Sequence, residues 1–118
     1  MITLDQLRAW GADIEDALPR CLNNEAFYLR LVGKAVQEPA FDRLREALEA
    51  GDLAGAFDQA HALKGVTGNL ALTPIDKPVR EITEHLRSRT EMDYQPLLSE
   101  ILAGRDSLLA LCTENPKG

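Results

Sequence analysis

The sequence predicts an all-α protein: an antiparallel up-down four-helix bundle with a short extra N-terminal helical element. Apolar residues recur every three or four positions along four long stretches, which is the period of an amphipathic helix. Leucine and alanine dominate the apolar residues while aromatic residues are only 5% of the chain, and this balance favours helices over strands. The connections between the stretches are short, so neighbouring helices are expected to run antiparallel.

Length and charge limit the class of protein. The 118 residues suit one domain over 1–118, which we divide into a core bundle at 24–113 and an N-terminal helical cap at 1–22. The net charge of −6 disfavours nucleic acid and anionic membranes as partners. No apolar run approaches the roughly 20 residues that span a bilayer. The segment Met1–Asp5 lacks the features of a signal peptide, so a cytoplasmic protein is expected.

The N-terminal cap carries two helix-start signals. Thr3 and Gln6 have the spacing of a capping box, and Gly11 can end the short helix that follows. Asp13 can cap a second turn that precedes Pro19. We expect this segment to lie across the end of the bundle, with the following side chains facing inward: Leu4, Leu7, Trp10 and Leu18.

The first long helix is predicted to begin after Asn23 or Asn24, either of which can serve as its N-cap. Pro39 interrupts it, and proline inside a helix removes a hydrogen bond and clashes with the preceding turn. Because the apolar face stays in phase across Pro39, we favour one kinked helix ending at Ala50, with two separate helices as the alternative. The predicted inward face is Phe27, Leu31, Ala35, Phe41, Leu44 and Leu48.

The next two helices have clear start signals. Asp52 is the predicted N-cap of the second, whose inward residues are spaced three and four apart. Thr73 followed by Pro74 predicts the start of the third, although Asp76 with Pro78 offers a later start. The predicted inward faces are Leu53, Ala56, Ala60, Leu63, Thr67 and Leu70 in the second helix, and Ile75, Val79, Ile82 and Leu86 in the third.

The last helix is predicted to follow a polar loop at Ser88–Asp93. Asp93 can cap it, and Pro96 fits in its first turn. The tail at 115–118 is expected to fray. The apolar face of this helix is broad and comprises Leu97, Leu98, Ile101, Leu102, Leu108, Leu109 and Cys112.

An unusual stretch lies in the middle of the second helix, around His61. Two glycines, Gly65 and Gly68, interrupt a strong helical pattern, and each costs about 1 kcal/mol relative to alanine. At roughly 100° per residue, His61 lies about 130° from the centre of the inward face and Gly65 almost opposite that centre. Lys64, three residues from His61, is its neighbour on the surface.

These residue types fit a histidine that carries a phosphoryl group. An imidazole is a good nitrogen nucleophile near neutral pH. The ammonium group of Lys64 would offset the charge of the phosphoryl group, and Gly65 and Gly68 would let a partner approach for in-line transfer. An exposed histidine on a helix is most often only solvated, but the two glycines on the outer side favour a functional His61.

The run His61-Ala62-Leu63-Lys64-Gly65, followed by Gly68-Asn69-Leu70, resembles the signature of histidine-containing phosphotransfer (HPt) domains. The resemblance covers about Phe27 to Leu109 and implies a helical bundle. It also implies that His61 is the phosphoacceptor and that Lys64 and Gly65 shape its surroundings. Together with Gly68, on the same outer side of the helix, Lys64 and Gly65 form the predicted phosphate- and partner-binding surface. Ala71 departs from the pattern, since many members have glycine there, and Pro74 and Pro78 are also unusual.

The resemblance implies a phosphorelay carrier without kinase activity of its own. Its expected partner is a response-regulator receiver domain, alone or within a hybrid histidine kinase, whose aspartate exchanges the phosphoryl group with His61. The receiver brings the Mg²⁺, so no cofactor and no metal site are expected on this chain. We expect a monomer, because no exposed apolar stripe is left over. The alternative is an adaptor that binds a receiver or kinase without phosphorylation, and the presence of His61 argues against it.

Other residues with reactive side chains have simpler interpretations. Gly33-Lys34 is not a P-loop, because the first glycine of that motif is missing. His85 is expected to be solvated or partly packed. Cys21 and Cys112 are expected to be reduced thiols in apolar surroundings rather than a disulfide. No second acid–base or metal cluster supports an enzyme that acts on a small molecule.

Overall fold

Helices account for every regular element of the computed structural model, which describes residues 2–113. Helix α5 packs against α4 and α6, and α6 packs against α7, so the predicted all-α bundle is confirmed. The predicted frayed tail at 115–118 lies outside the described residues. The elements are α1 (Leu4–Trp10), α2 (Ile14–Ala17), a 3₁₀ turn (Leu18–Cys21), α3 (Glu25–Ala35), α4 (Ala40–Glu49), α5 (Leu53–Asn69), α6 (Thr73–Arg87) and α7 (Gln95–Thr113).

The inward faces predicted for α5 and α6 form the centre of the core. Fully burying a large aliphatic side chain contributes about 1.5–3 kcal/mol, so these two faces fix how the helices are rotated about their axes. Small residues in α5 also let its backbone approach its neighbours closely. The buried residues are Ala56, Ala60, Leu63 and Thr67 in α5 and Ile75, Val79, Ile82 and Leu86 in α6.

The predicted capping residues lie at four of the helix starts. Thr3 and Gln6 form the predicted capping box, and Asp13, Asn24 and Asp52 accept backbone hydrogen bonds at the starts of α2, α3 and α5. The start of α6 differs, because its N-cap is Leu72, which makes no side-chain hydrogen bond. Pro74 lies in the first turn of α6 as predicted, and the helix continues through Pro78 instead of beginning later.

Pro39 separates two helices, so the single kinked helix predicted as far as Ala50 is wrong. Helix α3 ends at Ala35 and α4 begins at Ala40, with Pro39 in the N-cap position. Proline disfavours helical geometry in the residue before it, here Glu38. At a helix start, however, its missing N–H is one that would have no intrahelical partner in any case. Starting a helix at Pro39 therefore avoids the lost hydrogen bond and the clash that a kink would entail.

The break also changes which face of α3 is buried. The predicted face assumes one helix continuous with α4, whereas a separate α3 can rotate about its own axis. Tyr28 and Val32 are buried, whereas Phe27 and Leu31 are only partly buried. The Tyr28 hydroxyl donates a hydrogen bond of 2.9 Å to the carbonyl oxygen of Leu70, and burial raises the pKa of Tyr28 to about 12. This bond ties α3 to the end of α5.

Helix α5 ends in a Schellman motif with alanine at the left-handed position. Leu72 N donates to Thr67 O at 2.9 Å, and Ala71 N donates to Gly68 O at 3.1 Å. Ala71 itself has φ of +53°. That conformation costs about 1–2 kcal/mol in a residue with a Cβ atom, whereas glycine adopts it freely.

Replacing Ala71 by glycine is expected to raise the free energy of unfolding by about 0.5–1 kcal/mol. Relief of the left-handed conformation outweighs the lost methyl contact and the greater freedom of glycine in the unfolded chain. Urea denaturation measures the difference. The matched control is Ala103→Gly, exposed within α7, which should lower the same quantity by about 1 kcal/mol. A lower stability for Ala71→Gly would contradict the strain inferred at this position.

Candidate functional site

The four residues singled out by sequence lie together at one shallow depression on the outer side of α5. His61 and Gly65 are exposed, while Lys64 and Gly68 are partly buried. The depression has a volume of about 390 Å³. Its remaining walls come from three residues that the sequence analysis did not select: Arg20, Asn69 and Arg80.

The imidazole of His61 stacks on the ring of Phe57, one helical turn earlier. The ring centroids are 5.7 Å apart and the planes differ by 21°. The guanidinium carbons of Arg87 and Arg89 lie 5.1 and 5.5 Å from the centroid of Phe57. Such cation–π contacts contribute about 0.5–1 kcal/mol at exposed sites. The histidine is therefore exposed but supported on one face by a ring that is itself held in place.

Gly65 and Gly68 have different surroundings. A Cβ atom added to Gly65 would have no heavy atom within 4 Å, so the surface beside His61 is open there. A Cβ atom added to Gly68 would lie 3.3 Å from Arg80 Nη2 and 3.4 Å from Asp76 Oδ1. The missing side chain at Gly68 therefore makes room for residues of α6, whereas the missing side chain at Gly65 leaves open space.

A chain of hydrogen bonds holds Arg80 beside the depression. The hydroxyl of Thr67, which is fully buried, lies 2.9 Å from Asp76 Oδ1. The other oxygen of Asp76 accepts a hydrogen bond of 2.6 Å from Arg80 Nε. Because the Asp76 side chain is only 15% exposed, the geometry of this ion pair is fixed by the core of the bundle. The Arg80 side chain remains 58% exposed and keeps its other donors for an external group.

Arg20 reaches the depression from the 3₁₀ turn of the N-terminal cap. Its Nε donates to the carbonyl oxygen of Asn69 at 2.9 Å, and its Nη2 lies 3.3 Å from the carbonyl oxygen of Gly68. Its Nη2 also donates to Asp16 at 2.8 Å. The hydrogen bond from Arg20 lowers the pKa of the exposed Asp16 carboxyl, and Asp16 raises the pKa of Arg20.

Three cationic side chains line the depression although the chain as a whole is acidic. They are Lys64, Arg20 and Arg80, and within residues 2–113 no carboxylate is among the lining residues, although Arg20 and Arg80 are each paired with a nearby carboxylate. Within residues 2–113 the ammonium group of Lys64 has no salt-bridge partner, so its charge is not offset there. The charge of Lys64, together with the donors that Arg20 and Arg80 do not use in their ion pairs, favours an anion at the position next to His61.

The other candidate residues do not join this site. His85 is partly buried in the last turn of α6. Cys21 is buried and Cys112 partly buried, and both are free thiols. Over the described range 2–113, no group of three or more histidine, cysteine, aspartate or glutamate residues could hold a metal ion. In the same range no helix is long and apolar enough to cross a membrane.

Besides Asn69, sequence reasoning missed four residues of this arrangement, for different reasons. Phe57 lies four residues before His61, and the helical spacing rule was sufficient to find it. Arg80 and Asp76 are four residues apart on α6, but their position beside α5 depends on how the helices pack. Arg20 meets Asn69 across 49 residues of sequence, and no local pattern indicates such a contact.

A comparison with protein families identifies the chain. A family model described as the Hpt domain matches residues 35–113, which is most of the chain. The protein therefore belongs to the Hpt domain family, whose members are phosphocarrier modules of two-component signalling and not kinases. The match begins at the last residue of α3 and includes all of α4–α7. No significant match was found among curated proteins or among solved structures.

The stacking of Phe57 on His61 can be tested in solution. Phe57→Ala should move the imidazole proton resonances of His61 downfield, because the shielding of the neighbouring ring is lost. Two-dimensional ¹H–¹³C NMR measures the shift, and the resonances of His85 serve as the internal control. Phe57→Leu, which keeps an apolar side chain without a ring, should give a similar shift. Unchanged His61 resonances in both variants would show that the two rings do not stack.

Proposed function

We propose that this protein is a phosphorelay carrier that accepts a phosphoryl group on His61 from the aspartate of a response-regulator receiver domain and passes it to another receiver. The observation that carries the proposal is the exposed His61 imidazole beside three cations in a member of the Hpt domain family. The nucleophile and the charges that a phosphoryl group requires thus lie at one site. The carrier has no kinase activity of its own in this proposal.

The transfer step uses only groups that the two partners supply. The lone pair of His61 Nε2 forms a bond to phosphorus while the bond between phosphorus and the aspartyl oxygen of the receiver breaks. The electron pair of the broken bond leaves with the carboxylate. The imidazole keeps its proton on Nδ1, so the step needs no external base. Lys64 and Arg80 offset negative charge on the equatorial phosphoryl oxygens, where charge accumulates during in-line transfer. Mg²⁺ belongs to the receiver, and this chain needs no cofactor.

The surface around Gly65 is the proposed docking face for the receiver. Gly65 has open space above it, so the catalytic loops of a receiver can approach His61 from that side. A second depression of about 430 Å³ adjoins Gly65 between α3 and α5. Its walls combine apolar Leu31 and Val66 with charged Lys34 and Glu38, a mixture that suits a transient protein interface.

The proposal also covers the helix topology, the oligomeric state and the cellular compartment. The packing of helices that are neighbours in sequence supports an antiparallel up-down arrangement of α4–α7. Leu22 and Met92 are the exposed large apolar side chains of the described range, and so small an apolar surface supports a monomer. The free thiols Cys21 and Cys112 support a reducing compartment such as the cytoplasm.

The direct test of the phosphoacceptor is transfer from a phosphorylated receiver domain. Wild-type protein should acquire a label that is labile to acid and stable to base, as phosphohistidine is. His61→Gln should acquire none, whereas His85→Gln, which removes the other histidine, should be labelled like the wild type. Labelling is followed on denaturing gels after rapid mixing.

Two results would contradict the proposal. Equal labelling of His61→Gln would place the phosphoryl group elsewhere. Receiver binding that is unchanged in His61→Gln, together with no label on the wild type, would favour the adaptor that binds its partner without phosphorylation.

The role of Gly65 is tested by a bulky substitution. Gly65→Leu should leave the fold intact, because leucine is the better helix former and the space is open, but it should slow transfer at least about tenfold by blocking the receiver. Gly33→Leu in α3 is the matched control, since a Cβ atom added there also meets nothing within 4 Å. Stopped-flow measurement of receiver dephosphorylation gives both rates. If Gly65→Leu transferred the phosphoryl group at the wild-type rate, this glycine would not be explained by the space that a receiver needs.

A further inference from the structure

Arg20 lies at the His61 depression although it belongs to the N-terminal cap. The family match begins at residue 35, so Arg20 lies outside the part of the chain that the Hpt family model covers. It is brought to the site by contacts with Asn69 and Gly68 at the end of α5, which are 49 and 48 residues away in sequence. The cap therefore contributes a charged side chain to a site that the α4–α7 region otherwise forms.

The hydrogen bonds of Arg20 use only part of its donor capacity. Nε and Nη2 are occupied by the carbonyl oxygens of Asn69 and Gly68 and by Asp16. Within residues 2–113, no protein group accepts a hydrogen bond from Nη1. The side chain remains 39% exposed. A planar guanidinium group that is fixed on one edge and unused on another is well suited to binding an oxyanion.

The position of Arg20 complements those of the other two cations. Arg80 is fixed from the α6 side through Asp76, and Lys64 projects from α5 itself. Arg20 adds a cation from a third element of the fold. An anion in the depression would therefore be surrounded by positive charge from three elements rather than from one side.

We propose that Arg20 binds a phosphoryl oxygen during transfer to and from His61, so that the N-terminal cap is part of the phosphotransfer site. This inference rests on the proposed function, because it assigns a role within the same transfer. It goes beyond the proposed function because it predicts that Arg20, a residue outside the family match, affects the rate of transfer and the binding of a phosphate anion.

The kinetic test compares four variants under identical conditions. Arg20→Gln should slow transfer from a phosphorylated receiver about tenfold, similar to the loss expected for Lys64→Ala, because one charge-assisted hydrogen bond is removed. Arg20→Lys should recover part of the rate. Arg8→Gln is the matched control: Arg8 is also in the cap and also forms a 2.8 Å ion pair, with Glu15, but it does not line the depression. Its rate should equal that of the wild type.

Asp16→Asn tests whether Arg20 acts only through its ion pair with Asp16, which also lies in the cap. If it does, Asp16→Asn should slow transfer as much as Arg20→Gln does. If Arg20 binds the phosphoryl group, Asp16→Asn releases Nη2 from a competing carboxylate, and transfer should be as fast as in the wild type or faster. Equal slowing by Asp16→Asn and Arg20→Gln would overturn the proposal.

Titration with inorganic phosphate tests Arg20 without any transfer. Phosphate should shift the backbone amide resonances of Lys64, Gly65 and Asn69 in the wild type, relative to sodium chloride of equal ionic strength. The midpoint of this titration should move to severalfold higher phosphate in Arg20→Gln but not in Arg8→Gln. Identical titrations in wild type and Arg20→Gln would overturn the role of Arg20, whereas absent transfer with an Arg20-dependent titration would count against the proposed function alone.

Discussion

The buried face of α5 is the constraint on which the rest of the structure depends. Ala60, Leu63 and Thr67 are buried in the core. Because of the helical period, His61 therefore lies on the outer side of α5 and faces solvent. Both α4 and α6 pack against α5. The proposed phosphotransfer site is thereby built on a rigid element, with its orientation set by the hydrophobic core rather than by a loop.

Electrostatics at the site depends on how each cation is held. Arg80 is connected through Asp76 to a buried threonine, Arg20 is held by two backbone carbonyls, and Lys64 has no partner within the described range. The two fixed arginines need no reorganisation to meet an anion, while a lysine on a flexible stem can follow a group that moves between two proteins. Fixed and adjustable charges beside His61 suit the proposed reversible transfer better than permanent binding.

Most of the fold could be predicted because its determinants are local. Capping residues such as Thr3, Asn24 and Asp52 act within a few positions, and the inward faces of α5 and α6 follow from a single helical period. The break at Pro39 does not follow from the apolar pattern, because that pattern stays in phase by coincidence across two separate helices.

Part of the candidate site was also predictable, because some of its residues are close together in sequence. His61, Lys64, Gly65 and Gly68 share one helix, so spacing alone places them on one side of it. Arg20 and Arg80 reach that side only through helix packing and long-range hydrogen bonds. The spacing of residues along the sequence does not indicate such contacts.

The most direct test of the central claim is ³¹P NMR of the protein mixed with a phosphorylated receiver domain. The account predicts that the acyl-phosphate resonance of the receiver declines while a phosphoramidate resonance appears, coupled to the imidazole protons of His61. Decay of the acyl phosphate directly to inorganic phosphate, or a phosphoramidate resonance coupled to the protons of His85, would contradict it.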